Sequence, residues 1–130
     1  MMKRVLIIVC VACAISACKK TGVSPGLFGK WELREASGGD FAYQDSVYKP
    51  GNGNIYQFNA DSTYSAYLNH NLSAHGVFHI RKAIIPSGNS VDILLFDSNT
   101  DGWPITISGT TMTLVTEAGW FQDRYQKISN

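Results

Sequence analysis

From residue 27 onward the sequence consists of short runs rich in β-branched, aromatic and aliphatic residues, each followed by turn residues. Within the runs, apolar and polar residues alternate, as Trp31 and Leu33 alternate with Glu32 and Arg34. No segment has the sustained 3.6-residue apolar period of an amphipathic helix, so the sequence predicts an all-β domain. The eight predicted strands are residues 30–36, 55–59, 63–69, 75–82, 90–97, 103–108, 111–117 and 120–128.

Nearly all of the predicted strands follow one another through short turns, and strands joined in this way form an antiparallel meander. An open meander leaves two sheet edges exposed, and closing the sheet removes both of them. Eight strands also make a barrel whose interior holds side chains or one small ligand. We therefore expect a closed, eight-stranded, antiparallel, up-and-down β-barrel. The long glycine-rich connection over residues 37–54 is expected to form part of a lid or rim, and Pro104 predicts interrupted pairing in its strand.

The N-terminal residues have the features of a targeting segment. Lys3 and Arg4 precede an apolar run over residues 5–15, which is too short for a comfortable bilayer span. The run ends in "ISAC", which resembles the lipobox of bacterial lipoproteins, whose cysteine receives acyl chains such as palmitate. The sequence predicts a lipidated Cys18, and the alternatives are an ordinary signal peptide or a buried apolar segment. The predicted divisions are residues 1–17 (signal peptide), 18–26 (lipidated tether) and 27–130 (barrel domain).

The expected mature chain has no disulfide and little net charge. Cys10 and Cys13 lie in the segment that would be removed, and no cysteine follows Cys18, so the domain depends on its core for stability. Removing Lys3 and Arg4 from the eleven basic residues leaves nine against ten acidic residues. No basic stripe is present, and we therefore expect no nucleic-acid partner.

Four motifs occur in an order that resembles the small bacterial lipocalin-like (calycin-type) lipoproteins. They are "LFGKWEL", "YQFNADSTY", "GVFHI" and "YQKI", and the resemblance covers about residues 27–128. Ser62 stands where that pattern has glycine. The resemblance implies that Trp31 plugs the closed end of the barrel and that a basic side chain of the last strand lies over its indole. Arg124 matches that role best, with Lys127 as the alternative, and Gly29 lets the backbone pass close to the neighbouring strand.

The aromatic residues are the remaining lead to function. Tyrosine offers an apolar face and a polar hydroxyl, which suits a pocket wall, whereas simple core packing is the alternative. The sequence predicts a small, mostly apolar ligand in the barrel mouth, away from Trp31. The candidate ligand-binding residues are Tyr56, Phe58, Tyr64, Leu68, Phe78 and Ile80. The alternative function is a filled barrel that acts through its surface, as an inhibitor or as a subunit of an envelope complex.

Metal and catalytic constellations are weak in this sequence. The backbones of His75 and His79 lie about 13 Å apart on a regular strand, too far to share one zinc ion. Asp97 and Asp101 have the spacing of turn residues, and a calcium loop would need more oxygen ligands. No nucleophile elbow, phosphate loop or Cys/His pair is present. We therefore expect no catalytic residues, no metal and no cofactor.

The predicted lipid anchor implies a place in the bacterial cell envelope. We expect attachment to the outer membrane, with the periplasmic face and the cell surface both left open. The expected partners are the membrane itself, through the N-terminal lipid, and either a small apolar ligand or a protein.

Overall fold

The computed structural model describes residues 25–39, 46–116 and 121–130. The predicted signal peptide, Cys18 and most of the tether lie outside these residues. A three-residue 3₁₀ turn (Pro25–Leu27) precedes a single antiparallel sheet. The strands are β1 (Gly29–Gly38), β2 (Ser46–Val47), β3 (Ile55–Phe58), β4 (Thr63–Leu68), β5 (Asn71–Ile84), β6 (Ser90–Phe96), β7 (Trp103–Ser108), β8 (Thr111–Thr116) and β9 (Phe121–Ser129).

Eight of these strands close into a barrel. From β3 to β9 each strand pairs with the next, β1 pairs with β3, and β9 returns to pair with β1. The closing ladder runs from Lys30↔Ser129 to Gly38↔Phe121, with two irregularities in its register. This confirms the predicted closed, eight-stranded, antiparallel, up-and-down β-barrel. Each of the eight predicted runs overlaps one of the barrel strands, and β1 and β5 extend beyond their runs at both ends.

The short strand β2 was not predicted from the sequence. It belongs to the connection between β1 and β3 and pairs with Glu35 and Ala36 of β1. The ladder between β1 and β3 stops at Glu32, so β2 continues along the same edge of β1. A two-residue strand has no alternation that a sequence pattern can reveal. Residues 40–45 of the same connection lie outside the described residues.

Antiparallel pairing gives the barrel two distinct ends. At the first end, called here the closed end, β1 begins and the β3–β4, β5–β6 and β7–β8 turns lie. The chain also ends there, after β9. At the second end, called here the mouth, β1, β4, β6 and β8 end.

The 3₁₀ turn and Trp31 fill the closed end. Trp31 is fully buried, and its indole Nε1 donates a hydrogen bond to the Leu27 carbonyl oxygen at 2.8 Å. Gly29 has φ of +120°, and a Cβ added there would lie 2.3 Å from the Ser129 carbonyl oxygen. Only glycine fits this close crossing of β1 and β9. The Lys127 Nζ lies 5.3 Å from the centroid of the Trp31 ring.

The expectation that Arg124 covers the indole is wrong. Arg124 forms an ion pair with Glu35, and its side chain is 54% exposed. Side chains alternate between the two faces of a strand, and the buried Tyr125 shows which face of β9 is inward. Arg124 therefore faces outward, while Lys127 is opposite Trp31 in the register.

Large apolar side chains fill the middle of the barrel. Phe58, Phe78, Leu94, Met112 and Leu114 are almost completely buried there. The rings of Phe58 and Phe78 meet edge to face, with centroids 5.0 Å apart. This part of the barrel is therefore a packed core, with a ligand space left only toward the ends.

Strand β6 is covered on both faces, as its nearly continuous apolar run predicts. Leu94 faces the core, while Ile93 and Leu95 are buried on the outer face. A Cβ added to Gly102 would lie 2.4 Å from Ile93 Cγ2 and 2.9 Å from Leu95 Cγ. The loop between β6 and β7 therefore packs against the outside of β6.

Pro104 lies inside β7, and Ser62 lies in the turn between β3 and β4. Pro104 is opposite Ile93 in the β6–β7 ladder, which has three paired positions. Ser62 has φ of +67°, a conformation that favours glycine, and its N–H donates to the Asn59 carbonyl oxygen at 3.1 Å. The serine thus occupies a glycine-type turn position. In the described part of the chain there is no helix long and apolar enough to cross a membrane.

Candidate functional site: a pocket at the barrel mouth

A cavity of about 250 Å³ opens at the mouth of the barrel. Its walls come from β1, β3, β4, β5, β9 and the connection before β3. The lining residues are Leu33, Tyr48, Asn54, Ile55, Tyr56, Ala66, Tyr67, Leu68, Ser73 and Tyr125. Leu33 is opposite Tyr125 and Tyr56 is opposite Ala66, so two neighbouring pairs of the closed sheet face this space.

Residues 48–54 form the rim of the pocket, and they are hydrogen-bonded to the edge of β1. The Tyr48 N–H donates to the Arg34 carbonyl oxygen at 2.8 Å, and the Leu33 N–H donates to the Asn54 carbonyl oxygen at 2.9 Å. The Asn52 side-chain amide also donates to the Leu33 carbonyl oxygen at 2.8 Å. These bonds hold Tyr48 and Asn54 in the pocket wall.

The buried carboxylate of Glu32 holds this rim against β1. Glu32 is 3% exposed, and its Oε1 accepts a hydrogen bond from the Gly51 N–H at 2.8 Å. Its Oε2 lies 3.5 Å from the Gly53 N, and Arg34 forms an ion pair with it. Burial alone would raise the pKa of Glu32, but the bonds from Arg34, Gly51 and Gly53 together lower it below its ordinary value. The ionised Glu32 carboxylate therefore links β1 to the rim through hydrogen bonds.

Stacked aromatic rings close the floor of the pocket. The Tyr56 ring lies 5.6 Å from the Phe96 ring and 5.6 Å from the Tyr125 ring, measured between centroids. Tyr64 packs on Phe96 at 4.5 Å, and its hydroxyl donates to Asp97 Oδ2 at 3.1 Å. A ligand in the mouth would therefore rest on ring faces and edges and would go no deeper.

The hydroxyls of Tyr56 and Tyr125 stay protonated at neutral pH. Burial, with smaller contributions from Tyr64 and the negative charge of Asp123, raises the pKa of Tyr56 to about 12. Burial also raises the pKa of Tyr125, with Tyr56, Asp123 and Tyr48 adding to the effect. Both hydroxyls can donate a hydrogen bond, and the nearby carboxylate disfavours an anionic ligand.

The structure divides the six predicted ligand-binding residues between different places. Tyr56 and Leu68 line the mouth pocket, and Leu68 is 59% exposed at its edge. Phe58, Tyr64 and Phe78 face the interior but belong to the packed core. They are therefore core side chains rather than pocket walls, because larger neighbours fill the space around them.

Ile80 lines a different and smaller space. With Leu27, Asp92, Ile105 and Ile107 it surrounds a cavity of about 120 Å³ beside the closed end. It therefore does not share a pocket with Tyr56 or Leu68. The alternation of side chains along β5 places Ile80 on the inward face, but it does not indicate which end of the barrel Ile80 lies near.

Eight of the ten residues that line the mouth pocket were not among the six predicted ligand-binding residues: Leu33, Tyr48, Asn54, Ile55, Ala66, Tyr67, Ser73 and Tyr125. Leu33 and Ala66 alternate with polar residues in the predicted strands, so their inward direction was readable. Tyr125 carried the same signal in the last strand. Asn54 reaches the pocket through the course of the rim, for which the sequence has no equivalent signal.

A second, larger depression of about 570 Å³ lies on the outside of the barrel, over β5, β6 and β7. Arg81, Ala83, Ile93 and the loop residues 100–104 line it. We call it the outer groove. It lies on the outer face of the sheet, where Arg81, Ile93 and Pro104 form one outward-facing row of the register.

The histidines do not gather at either site. His70, His75 and His79 are all exposed, and His70 Nε2 lies 3.1 Å from the Gly51 carbonyl oxygen. The Asp97 side chain accepts bonds from the Tyr64 hydroxyl of β4 and from the Val77 N–H of β5. Within the described ranges, no group of three or more His, Cys, Asp or Glu side chains is arranged to hold a metal ion.

Comparison of the chain with protein-family models, with curated proteins and with solved structures found no match. The features of this chain that bear on its function are therefore the pocket, its rim and the N-terminal sequence.

Proposed function

We propose that this protein is a lipid-anchored, lipocalin-like barrel of the bacterial envelope that binds a small, mostly apolar molecule at its mouth. The observation that supports this most is the 250 Å³ pocket at the barrel mouth, which Leu33, Ala66 and several tyrosines line together with Asn54 and Ser73. Small-molecule sites usually measure about 300–1,000 Å³, so the ligand is small. The field of Asp123 favours a neutral or cationic ligand over an anion. No enzymatic activity is proposed.

Titration with a neutral apolar dye, N-phenyl-1-naphthylamine, tests the binding proposal. We expect a saturable rise in dye fluorescence with the chain that begins at Lys19. Ala66→Trp adds bulk inside the pocket and should weaken binding by about tenfold or more, equivalent to about 1.4 kcal/mol. The matched control is Ala83→Trp, which makes the same change in the outer groove and should leave dye binding unchanged. Absence of saturable binding, or equal losses in both variants, would contradict the proposal.

The outer groove supports a second candidate function, a barrel that acts through its surface on a protein partner. Its volume of about 570 Å³ exceeds that of the mouth pocket, and its lining combines Arg81 and Asp101 with Trp103 and Pro104. In this case Ala83→Trp, rather than Ala66→Trp, would abolish crosslinking to an envelope protein in cells. The same two variants therefore separate the two functions.

The lipid anchor rests on "ISAC" after the apolar run, and it predicts that Cys18 carries the lipid. Cys18→Ser should leave an unprocessed or soluble product, whereas wild type should fractionate with the outer membrane. Cys13→Ser is the matched control, because it removes a thiol that lies in the leader and should change nothing. The anchor proposal fails if Cys18→Ser fractionates and migrates as wild type does.

A further inference from the structure

The turn between β5 and β6 presents exposed apolar side chains at the closed end. Ile84 is 73% exposed and Ile85 is 38% exposed, and Pro86 follows them. The turn itself is well formed: the Ile85 N–H donates to the Asn89 carbonyl oxygen at 2.9 Å, and the Gly88 N–H donates to the Ile85 carbonyl oxygen at 2.8 Å. We call residues 84–89 the hairpin tip.

The hairpin tip projects beyond the neighbouring strands. In the described sheet, β4 pairing with β5 extends to Val77, and β7 pairing with β6 extends to Asp92. The last rungs, Ala83↔Val91 and Ile84↔Ser90, join only β5 and β6 among the described strands. An ion pair between Lys82 Nζ and Asp92 Oδ1, at 2.5 Å, braces the base of this two-stranded projection.

The chain N-terminal to the barrel also arrives at the closed end. Leu27 is buried against Trp31, and Lys127 Nζ donates to the Gly26 carbonyl oxygen at 3.2 Å, so the 3₁₀ turn is fixed to the barrel. Six residues lie between Cys18 and Pro25, and the seven steps of chain from Cys18 to Pro25 span at most about 25 Å when fully extended. A lipid on Cys18 would therefore hold the closed end, and the hairpin tip with it, close to the bilayer.

We propose that the hairpin tip inserts into the lipid interface of the membrane that holds the anchor. This inference rests on the proposed lipidation of Cys18. Apolar side chains of this kind enter the boundary between headgroups and acyl chains, and flanking cations pair with phosphates. The sequence fits: no acidic residue occurs between Ala83 and Val91, Arg81 lies just before the tip, and Lys19 and Lys20 follow the predicted anchor, whereas Lys82 is already paired with Asp92.

Exposed apolar residues also occur at the mouth, including Val47 at 84% exposure. They lie at the opposite end of the barrel from the point where the tether joins. The proposed orientation therefore places the hairpin tip against lipid and directs the mouth pocket away from the membrane. Insertion of the tip would fix this orientation of the barrel relative to the membrane.

A fluorophore attached to the Ile84→Cys variant of the lipidated full chain tests this, with Val47→Cys as the matched control at the mouth. Once Cys18 is acylated and residues 1–17 are removed, each variant has one free thiol. In phosphatidylcholine–phosphatidylglycerol vesicles, nitroxide-labelled phospholipids should quench the Ile84→Cys label several-fold more than the Val47→Cys label.

Equal, weak quenching of the two labels in vesicle-bound protein would overturn tip insertion and leave the lipid anchor intact. Protein that does not remain with the vesicles would overturn the anchor, and the inference would fall with it. Shielding of the Ile84→Cys label that rises with protein concentration in lipid-free solution would show that a second copy covers the tip, and this too would overturn the inference.

Discussion

At the residue scale, the contact between Trp31 and Lys127 joins the first and last strands of the barrel. The indole is fully buried and hydrogen-bonded to the Leu27 carbonyl oxygen, while the ammonium lies 5.3 Å from the ring centroid. A cation in this position contributes roughly 0.5–2 kcal/mol, depending on its desolvation. The same lysine also holds the 3₁₀ turn through Gly26. These two residues therefore stabilise both the closure of the sheet and the plug at its end.

A double-mutant cycle measures this contact. Trp31→Ala should lower the free energy of unfolding by about 3–5 kcal/mol, as large aromatic truncations in cores do. Lys127→Met should lose most of its effect once Trp31 is replaced, because its partner ring is gone. Arg124→Met is the matched control, since Arg124 pairs with Glu35 on the outer face and its effect should simply add to that of Trp31→Ala. Additive effects for Lys127→Met would contradict the contact.

The sequence pattern of the last strand could have shown that Lys127, and not Arg124, lies near Trp31. In the run "WFQDRYQKI", the inward direction of Tyr125 places Lys127 on the same face and Arg124 on the other. The resemblance to known barrels favoured the wrong residue, and the alternation of the strand favoured the right one. The burial of Glu32, by contrast, had no sequence signal, because an outward glutamate becomes buried only when the rim folds over it.

At the element scale, β1 organises the molecule. It closes the barrel with β9, begins the meander with β3, and holds β2 and the rim along the rest of its edge. The alternation within β1 made the strand and its inward face predictable. The path of the rim depends on hydrogen bonds to Glu32, Leu33 and Arg34, which no local pattern encodes.

The link through Glu32 makes rim stability depend on pH. The pKa of Glu32 is lower in the folded protein than in the unfolded chain. The ionised carboxylate therefore adds its full contribution to the free energy of unfolding above the ordinary pKa of glutamate. This contribution is lost as the pH falls through the pKa of the folded state. Glu32→Gln should therefore lower the free energy of unfolding at pH 7 by about 2 kcal/mol and flatten its decline below pH 4.5. Chemical denaturation over a pH series measures both effects.

Glu35→Gln is the matched control for this experiment. Glu35 lies on the same strand, and its ion pair with Arg124 is largely exposed. Exposed pairs contribute about 0–1 kcal/mol, so this variant should stay close to wild type. Hydrogen exchange at the Gly51 and Gly53 amides should quicken in Glu32→Gln and remain unchanged in Glu35→Gln. Equal behaviour of the two variants would show that Glu32 does not hold the rim.

At the scale of the whole molecule, the barrel is packed through its middle, with a cavity of about 250 Å³ at its mouth and one of about 120 Å³ beside its closed end. The number of strands and their closure followed from run lengths, turns and the need to remove sheet edges. How much of the barrel interior is filled could not be predicted from the sequence, because it depends on how the side chains of Phe58, Phe78, Phe96 and their neighbours pack together. Parity specifies which side chains enter the barrel, whereas their packing decides where space remains.

Native mass spectrometry of detergent-free protein shows whether the mouth pocket holds a small molecule. The chain beginning at Lys19, produced in bacteria, should show a small-molecule adduct that is released on collisional activation. Ala66→Trp should lack this adduct, and Ala83→Trp should retain it. If wild type and Ala66→Trp both show the apo mass alone, or carry the same adduct, the claim of a ligand in the mouth pocket is contradicted.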